Sequence, residues 1–137
     1  MVRKGVLAMA IAVACTAAHA ADKQCTQSDK QRAMKAIDAV VSWQQLTKAF
    51  TDFGHCDTGD VSDQFSDALL RLAVDWKDVK SLSAAMAKDP GYKSFVEAHL
   101  KSASKDDRDT VYSRAKNQCP SGQDAFCADI AEATKSP

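Results

Sequence analysis

The placement of the cysteines constrains this chain more than any other feature. Cys25, Cys56, Cys119 and Cys127 form an even set that spans most of the sequence. Such a set predicts disulfides when the chain is exported to an oxidising compartment. Four cysteines allow three connectivities, and sequence alone leaves all three open. We favour Cys25 with Cys56 and Cys119 with Cys127, because each pair would join the start of one helical segment to the end of a neighbour.

The N-terminus has the pattern of an export signal. It opens with Arg3 and Lys4, continues through an apolar stretch at 5–15 and reaches small residues at 18–20. A basic start, an apolar centre and an A-x-A-like end are typical of a secretory signal peptide. The apolar stretch is shorter than the ~20 residues that span a bilayer. The sequence therefore predicts a signal peptide at 1–20 and a periplasmic or secreted product without a membrane span.

The fifth cysteine allows a second route of processing. Cys15 follows Ala12, so a lipoprotein peptidase that cleaves before Cys15 is a minor alternative. The position three before a lipidated cysteine usually carries a larger aliphatic side chain, which disfavours this route. Either route leaves the other four cysteines in the folded part.

Size and charge limit the classes of function. Residues 21–137 are of the size of one domain. Loss of Arg3 and Lys4 leaves 16 basic and 18 acidic residues, interspersed along the chain. A nucleic-acid-binding domain usually carries a basic face, so this balance argues against nucleic acid as a partner.

Apolar periodicity predicts helices throughout the chain. The strongest stripe runs from Val61 to Trp76 in steps of three and four, and it predicts a helix over 58–75 that is capped by Asp57 or Thr58. Weaker stripes and caps predict helices over 43–53, up to Lys88 and in four further segments. The caps are Ser42 with Gln45, Asp89 before Pro90, Ser104 with Asp107, and Ser121 with Asp124. The predicted fold is all-α, a compact irregular bundle of six or seven short helices with two disulfides.

The run from His55 to Asp60 gathers imidazole, thiol and carboxylate groups within six residues. A cysteine nucleophile at Cys56 is one hypothesis, but export favours a disulfide there, and the acids at Asp57 and Asp60 equally suit a helix start. The run lacks the register of a calcium loop or zinc site. We therefore predict no catalytic, metal or cofactor site. The candidate interface residues are Trp76, His55, Asp57 and Asp60.

Several local patterns resemble a group of small, mostly uncharacterised exported proteobacterial proteins. They are Ser42-Trp43, the run from His55 to Gly59, Phe65-Ser66-Asp67-Ala68, Asp89-Pro90 with Phe95-Val96 and His99, and Cys119-Pro120 with Cys127. In its size, export signal, helical class and paired cysteines the chain also resembles periplasmic immunity proteins of type VI secretion systems, including the amidase-immunity family. That resemblance implies binding to an envelope-acting toxic enzyme.

These observations predict a non-enzymatic binding protein, with an immunity or inhibitor role as the specific form. Two alternatives stay open. One is an envelope module that binds a small ligand in a cavity lined by Met34, Met86, Phe95 and Tyr112. The other is an enzyme of unrecognised type centred on the run from His55 to Asp60.

Overall fold

The structure is a computed structural model that describes residues 23–136. The predicted signal peptide and Cys15 lie outside these residues. The described part contains seven α-helices and no strand, which confirms the all-α prediction. A single 3-10 turn, Gly54–Cys56, follows the second helix. The helices are α1 Gln27–Asp38, α2 Trp43–Phe53, α3 Gly59–Asp75, α4 Val79–Lys88, α5 Pro90–Ser102, α6 Lys105–Asn117 and α7 Asp124–Thr134.

Three of the predicted helix caps are confirmed. Ser42 accepts a hydrogen bond from the backbone N–H of Gln45 and begins α2. Asp89 accepts from the first N–H groups of α5, whose first residue is Pro90. Ser104 begins α6 in the same way. These caps satisfy N–H groups that have no partner inside the helix, which is why they mark boundaries from sequence.

Two predicted helix starts differ from the structure. The predicted cap at Ser121 is wrong, because α7 begins at Asp124 without a side-chain cap. Gly122 has a φ of 78°, so the chain still turns there. The helix predicted over 58–75 begins at Gly59, and the side-chain cap predicted for it is absent, because its N-cap Thr58 makes no such hydrogen bond. The first helix ends at Asp38 and is followed by two adjacent valines with different environments. Val40 is buried, whereas Val41 is 77% exposed.

The core lies around α3, which packs against α1, α2, α5 and α6. Its buried stripe includes Val61, Phe65 and Leu69. The ring of Phe65 meets that of Phe95 edge-on at 5.1 Å, and Phe95 in turn lies 4.7 Å from Phe50 and 5.9 Å from Tyr92, measured between ring centroids. Helices α2, α3 and α5 thus share one aromatic cluster.

Two disulfides close the fold, Cys25–Cys56 and Cys119–Cys127. The first joins the segment before α1 to the 3-10 turn, and the second joins the end of α6 to α7. The favoured pairing is therefore confirmed, and it fits an oxidising compartment. Within residues 23–136, none of the helices has the length and apolar character required to cross a membrane.

The connection between α3 and α4 holds two non-glycine residues at positive φ. Trp76 has a φ of 58° and Asp78 a φ of 47°. A bulky residue in the left-handed region costs free energy, so neighbouring contacts must hold it. The indole N–H of Trp76 donates to the Gln118 carbonyl at 3.0 Å, and that of Trp43 donates to the Lys77 carbonyl at 2.8 Å. Two buried indoles therefore fix this turn.

Candidate functional site

The run from His55 to Asp60 occupies the 3-10 turn and the start of α3. Its thiol is consumed, because Cys56 is fully buried and bonded to Cys25. A disulfide sulfur cannot act as the thiolate nucleophile that one hypothesis required. The imidazole and carboxylate groups on either side of Cys56 point to two separate polar clusters.

The first cluster surrounds Asp29 in the first turn of α1. Thr26 and Asp29 form a reciprocal capping box, with the Thr26 hydroxyl 2.8 Å from the Asp29 carboxylate. Arg32 also donates to that carboxylate, and His55 Nε2 lies 3.6 Å from it. Hydrogen bonds from Thr26 and Arg32 hold the pKa of Asp29 far below its ordinary value. Asp29 is therefore an ionised, buried anchor for the start of α1.

The second cluster is a hydrogen-bonded chain of three side chains from three elements. His99 Nε2 lies 3.0 Å from Asp57 Oδ2, and His99 Nδ1 lies 2.7 Å from Ser66 Oγ. Asp57 follows the 3-10 turn, Ser66 lies in the middle of α3 and His99 lies near the end of α5. The His99 ring is 5% exposed and packs edge-on against Phe95 at 4.4 Å between centroids. The three side chains thus form one chain of hydrogen bonds in the order Ser66, His99 and Asp57.

The charge on Asp57 fixes the direction of these hydrogen bonds. Burial raises the pKa of Asp57, but hydrogen bonds from His99 and Ser62 together with the charge of His99 outweigh burial, so the pKa is lowered. An ionised carboxylate only accepts, so the proton of a neutral His99 lies on Nε2. Nδ1 then accepts, and the Ser66 hydroxyl donates to it. This is the tautomer in which histidine can take a proton from serine.

Sequence reasoning did not bring these three residues together. It placed Asp57 at a helix cap and named Ser66 and His99 only as parts of two separate local patterns. The structure buries His99, and a buried histidine needs polar partners. The partners lie 33 and 42 residues away along the chain, so spacing could not reveal them.

The four candidate interface residues do not form one exposed patch. Trp76 was predicted as an interface residue, but it is buried in the core and stacks on Phe126, so it offers little surface to a partner. His55 and Asp57 keep 14% and 25% of their side chains exposed. Asp60 is exposed, in the first turn of α3. It lines a surface groove between α1 and the start of α3, together with Met34 and Lys30.

A second groove lies between α3 and α6 and measures about 700 Å³. Its apolar residues are Leu70 and Val74, both half-buried. Charged side chains surround them: Asp67, Arg71, Asp75, Asp107 and Arg114. The groove therefore has a short apolar strip inside a rim that carries both charge signs.

The residues proposed to line an internal ligand cavity are dispersed. Phe95 and Met86 are buried in the core, and the Phe95 ring is surrounded by three other aromatic rings. Tyr112 is 36% exposed on α6, whereas Met34 lies on α1 and lines the groove between α1 and the start of α3. These four side chains therefore do not enclose one common space.

Within residues 23–136, no cluster of three or more histidine, cysteine, aspartate or glutamate side chains could hold a metal ion. No protein-family model, curated protein or solved structure matches the chain. Its function must therefore be argued from its own residues.

Proposed function

We propose that this chain is a periplasmic or secreted binding protein that recognises another protein, in the manner of an immunity or inhibitor protein that blocks an envelope-acting toxic enzyme. The groove between α3 and α6 carries the proposal. It offers an apolar strip at Leu70 and Val74 inside a rim of both charge signs. Apolar contact provides affinity, and rim charges select the partner.

The disulfide-bonded helical scaffold suits a protein-binding role. Two disulfides hold a small helical domain in one shape. A rigid surface loses little conformational entropy on binding, so more of the contact energy appears as affinity. The disulfides support the location as well, since they persist in oxidising compartments.

A surface groove favours a protein partner over a small ligand. Small-ligand sites enclose most of the ligand and are lined mainly by apolar and aromatic groups. The groove is open, and five of its seven lining residues are charged. The aromatic side chains lie instead in the packed core around Phe95. An internal ligand is therefore the weaker alternative.

The test is an affinity pull-down with the mature, oxidised protein as bait, from periplasmic and secreted fractions. Val74→Lys places a charge in the apolar strip of the groove. Val41→Lys is the matched control, because Val41 is the same residue type, is 77% exposed and lies outside the groove. We expect the unmodified bait and the Val41→Lys bait to retain the same partner at stoichiometric level.

The Val74→Lys bait should retain roughly tenfold less, which corresponds to a loss of about 1.4 kcal/mol. Thermal melting of both variants checks that each remains folded. A partner that degrades cell-envelope material would identify the inhibitor role. The proposal is refuted if no protein is retained at micromolar bait, and the groove is excluded as the surface if both variants retain the partner equally.

A further inference from the structure

The chain Asp57–His99–Ser66 has a chemical capacity that a binding role does not use. Ser66 Oγ lies 2.7 Å from His99 Nδ1, within the range in which a histidine can remove a hydroxyl proton. Asp57 holds the other ring nitrogen at 3.0 Å and faces the imidazolium that proton removal would create. We propose that Ser66 is a reactive nucleophile that accepts an acyl group from activated esters, with His99 as its general base and Asp57 as a positioning residue.

The nucleophile and its base differ in exposure, because Ser66 lies nearer the surface than His99. Ser66 is half-buried, so part of the residue reaches the surface, and the labelling experiment below tests whether a reagent reaches its hydroxyl. His99 is almost fully buried among Phe65, Phe95 and the two polar partners, so its ring cannot turn to water. A fixed imidazole with one accepting nitrogen aimed at the hydroxyl is oriented for proton removal before any ester arrives.

The reaction balances without a cofactor. Ser66 Oγ bonds to the carbonyl carbon of the ester while the bond from that carbon to the leaving oxygen breaks. The hydroxyl proton moves to His99 Nδ1 and then to the leaving oxygen. The charge of Asp57 stabilises the transient imidazolium.

The position of Ser66 limits the reaction to one acylation. Ser66 is the eighth residue of the 17-residue helix α3, so the backbone N–H groups around it are used in the helix. An oxyanion donor contributes roughly a factor of 10²–10³ in rate. Without such donors from α3, we expect the acyl group to stay on Ser66 instead of being hydrolysed. The activity is therefore stoichiometric and goes beyond the proposed binding function.

The groove indicates which esters fit. Leu70 and Val74 follow Ser66 on α3 at intervals of four residues, so the three lie along one ridge of the helix. The apolar strip of the groove begins one turn from the nucleophile. An ester with an apolar acyl chain can place that chain along the strip.

An alkyl fluorophosphonate tests the nucleophile directly. Labelling forms an Oγ–P bond, releases fluoride and transfers the hydroxyl proton to His99. We expect intact-mass spectrometry to show a single adduct, and peptide mapping to place it at Ser66. Ser83 is the matched control, since it also lies half-buried in the middle of a helix. If His99 acts as a general base, labelling at Ser66 should be roughly 100-fold faster than at Ser83.

Variants separate the roles of the three residues. Ser66→Ala should abolish the adduct. Asp57→Asn should slow the labelling of Ser66 and leave that of Ser83 unchanged, because a neutral amide does not stabilise the imidazolium that forms at His99. The groups that face His99 are Asp57, Ser66 and the rings of Phe65 and Phe95. A purely structural role for Asp57 would change the labelling of both serines together.

Nitrophenyl esters test the acyl specificity. We expect a single stoichiometric release of nitrophenolate, faster with the hexanoate than with the acetate. Equal rates would overturn the assignment of the apolar strip. Absence of a fluorophosphonate adduct on the folded protein, or equal labelling of Ser66 and Ser83, would overturn the nucleophile. Both results are independent of the pull-down, because Ser66→Ala should keep the bound partner.

Discussion

The two disulfides close regions of very different character. The N-terminal disulfide region, around Cys25–Cys56, has a sequence separation of 31 and lies between two hydrogen-bonded carboxylates, Asp29 and Asp57. The C-terminal disulfide region, around Cys119–Cys127, has a separation of 8 and joins two helices that are adjacent in sequence. The first region is held by covalent and polar contacts together. The second is held by its disulfide together with the apolar contacts of α7.

Helix α6 illustrates the weakness of the C-terminal disulfide region. It buries only Val111 and Ala115, although it has 13 residues. Helix α7 buries six of its 11 residues and provides most of the apolar contact of the pair. A polar helix gains little from burial, so its neighbours must hold it in place. The two disulfides are therefore expected to stabilise their regions to different extents.

The largest expected effect comes from removing each disulfide. Chain entropy predicts that replacing Cys25 and Cys56 by alanine lowers the free energy of unfolding by about 3.7 kcal/mol, and replacing Cys119 and Cys127 by about 2.5 kcal/mol. Urea unfolding of both double variants measures the two values. Equal losses would mean that loop length does not control the difference between the regions.

A smaller effect is expected from Trp76→Phe. This variant removes the indole N–H that reaches the Gln118 carbonyl, next to Cys119, and leaves that acceptor without its partner. We expect a loss of about 1–2 kcal/mol. Tyr112→Phe on α6 is the control, because it removes one polar group from a side chain that is 36% exposed, and it should change stability by less than about 0.5 kcal/mol. Similar losses in the two variants would contradict a tie between the α3–α4 turn and the end of α6.

The helix caps of the two regions are expected to differ in their effect on stability. Thr26→Ala breaks the capping box of α1 and leaves the buried Asp29 with fewer donors, so we expect a loss of about 1–2 kcal/mol. Ser104→Ala removes the exposed cap of α6 and should cost about 0.5 kcal/mol. Thermal melts of the two variants provide the measurement. A larger loss of stability in Ser104→Ala than in Thr26→Ala would show that α6 depends more on its cap than α1 does.

The smallest expected effect is a change in how stability depends on pH, and it appears only in acid. The pKa values of Asp29 and Asp57 are lowered in the folded protein. Their contribution to stability is therefore present above the ordinary aspartate value of 3.8 and is lost as the pH falls through the lower folded values. Asp57→Asn should flatten the dependence of the urea midpoint on pH between 5 and 2.

Asp63→Asn is the control for this acid effect. Asp63 is exposed on α3 and should leave the pH dependence unchanged. Chemical shifts recorded by NMR during the acid titration should show Asp29 and Asp57 taking up their protons below the ordinary aspartate value of 3.8. Protonation of either carboxylate at or above that value would contradict the assignment of the acid-sensitive contacts.

The helices and several of their ends could be predicted from the sequence, whereas the disulfide pairing was a preference among three open connectivities. The predicted bounds of α2 and the last residue of α4 agree with the structure, since caps and apolar periodicity are local properties. The start of α7 was predicted wrongly, because a glycine turn at Gly122 separates Ser121 from the helix.

The position of the polar side-chain clusters depends on tertiary contacts. The tertiary structure joined Asp57, Ser66 and His99, which come from three elements and share no local motif. It also buried Trp76, whose left-handed backbone turns the indole toward Gln118 instead of solvent. The grooves have the same origin, since each is formed by two helices. Hydrogen bonds and packing between distant segments depend on how helices meet, and one-dimensional periodicity specifies the buried face of a helix without specifying its neighbour.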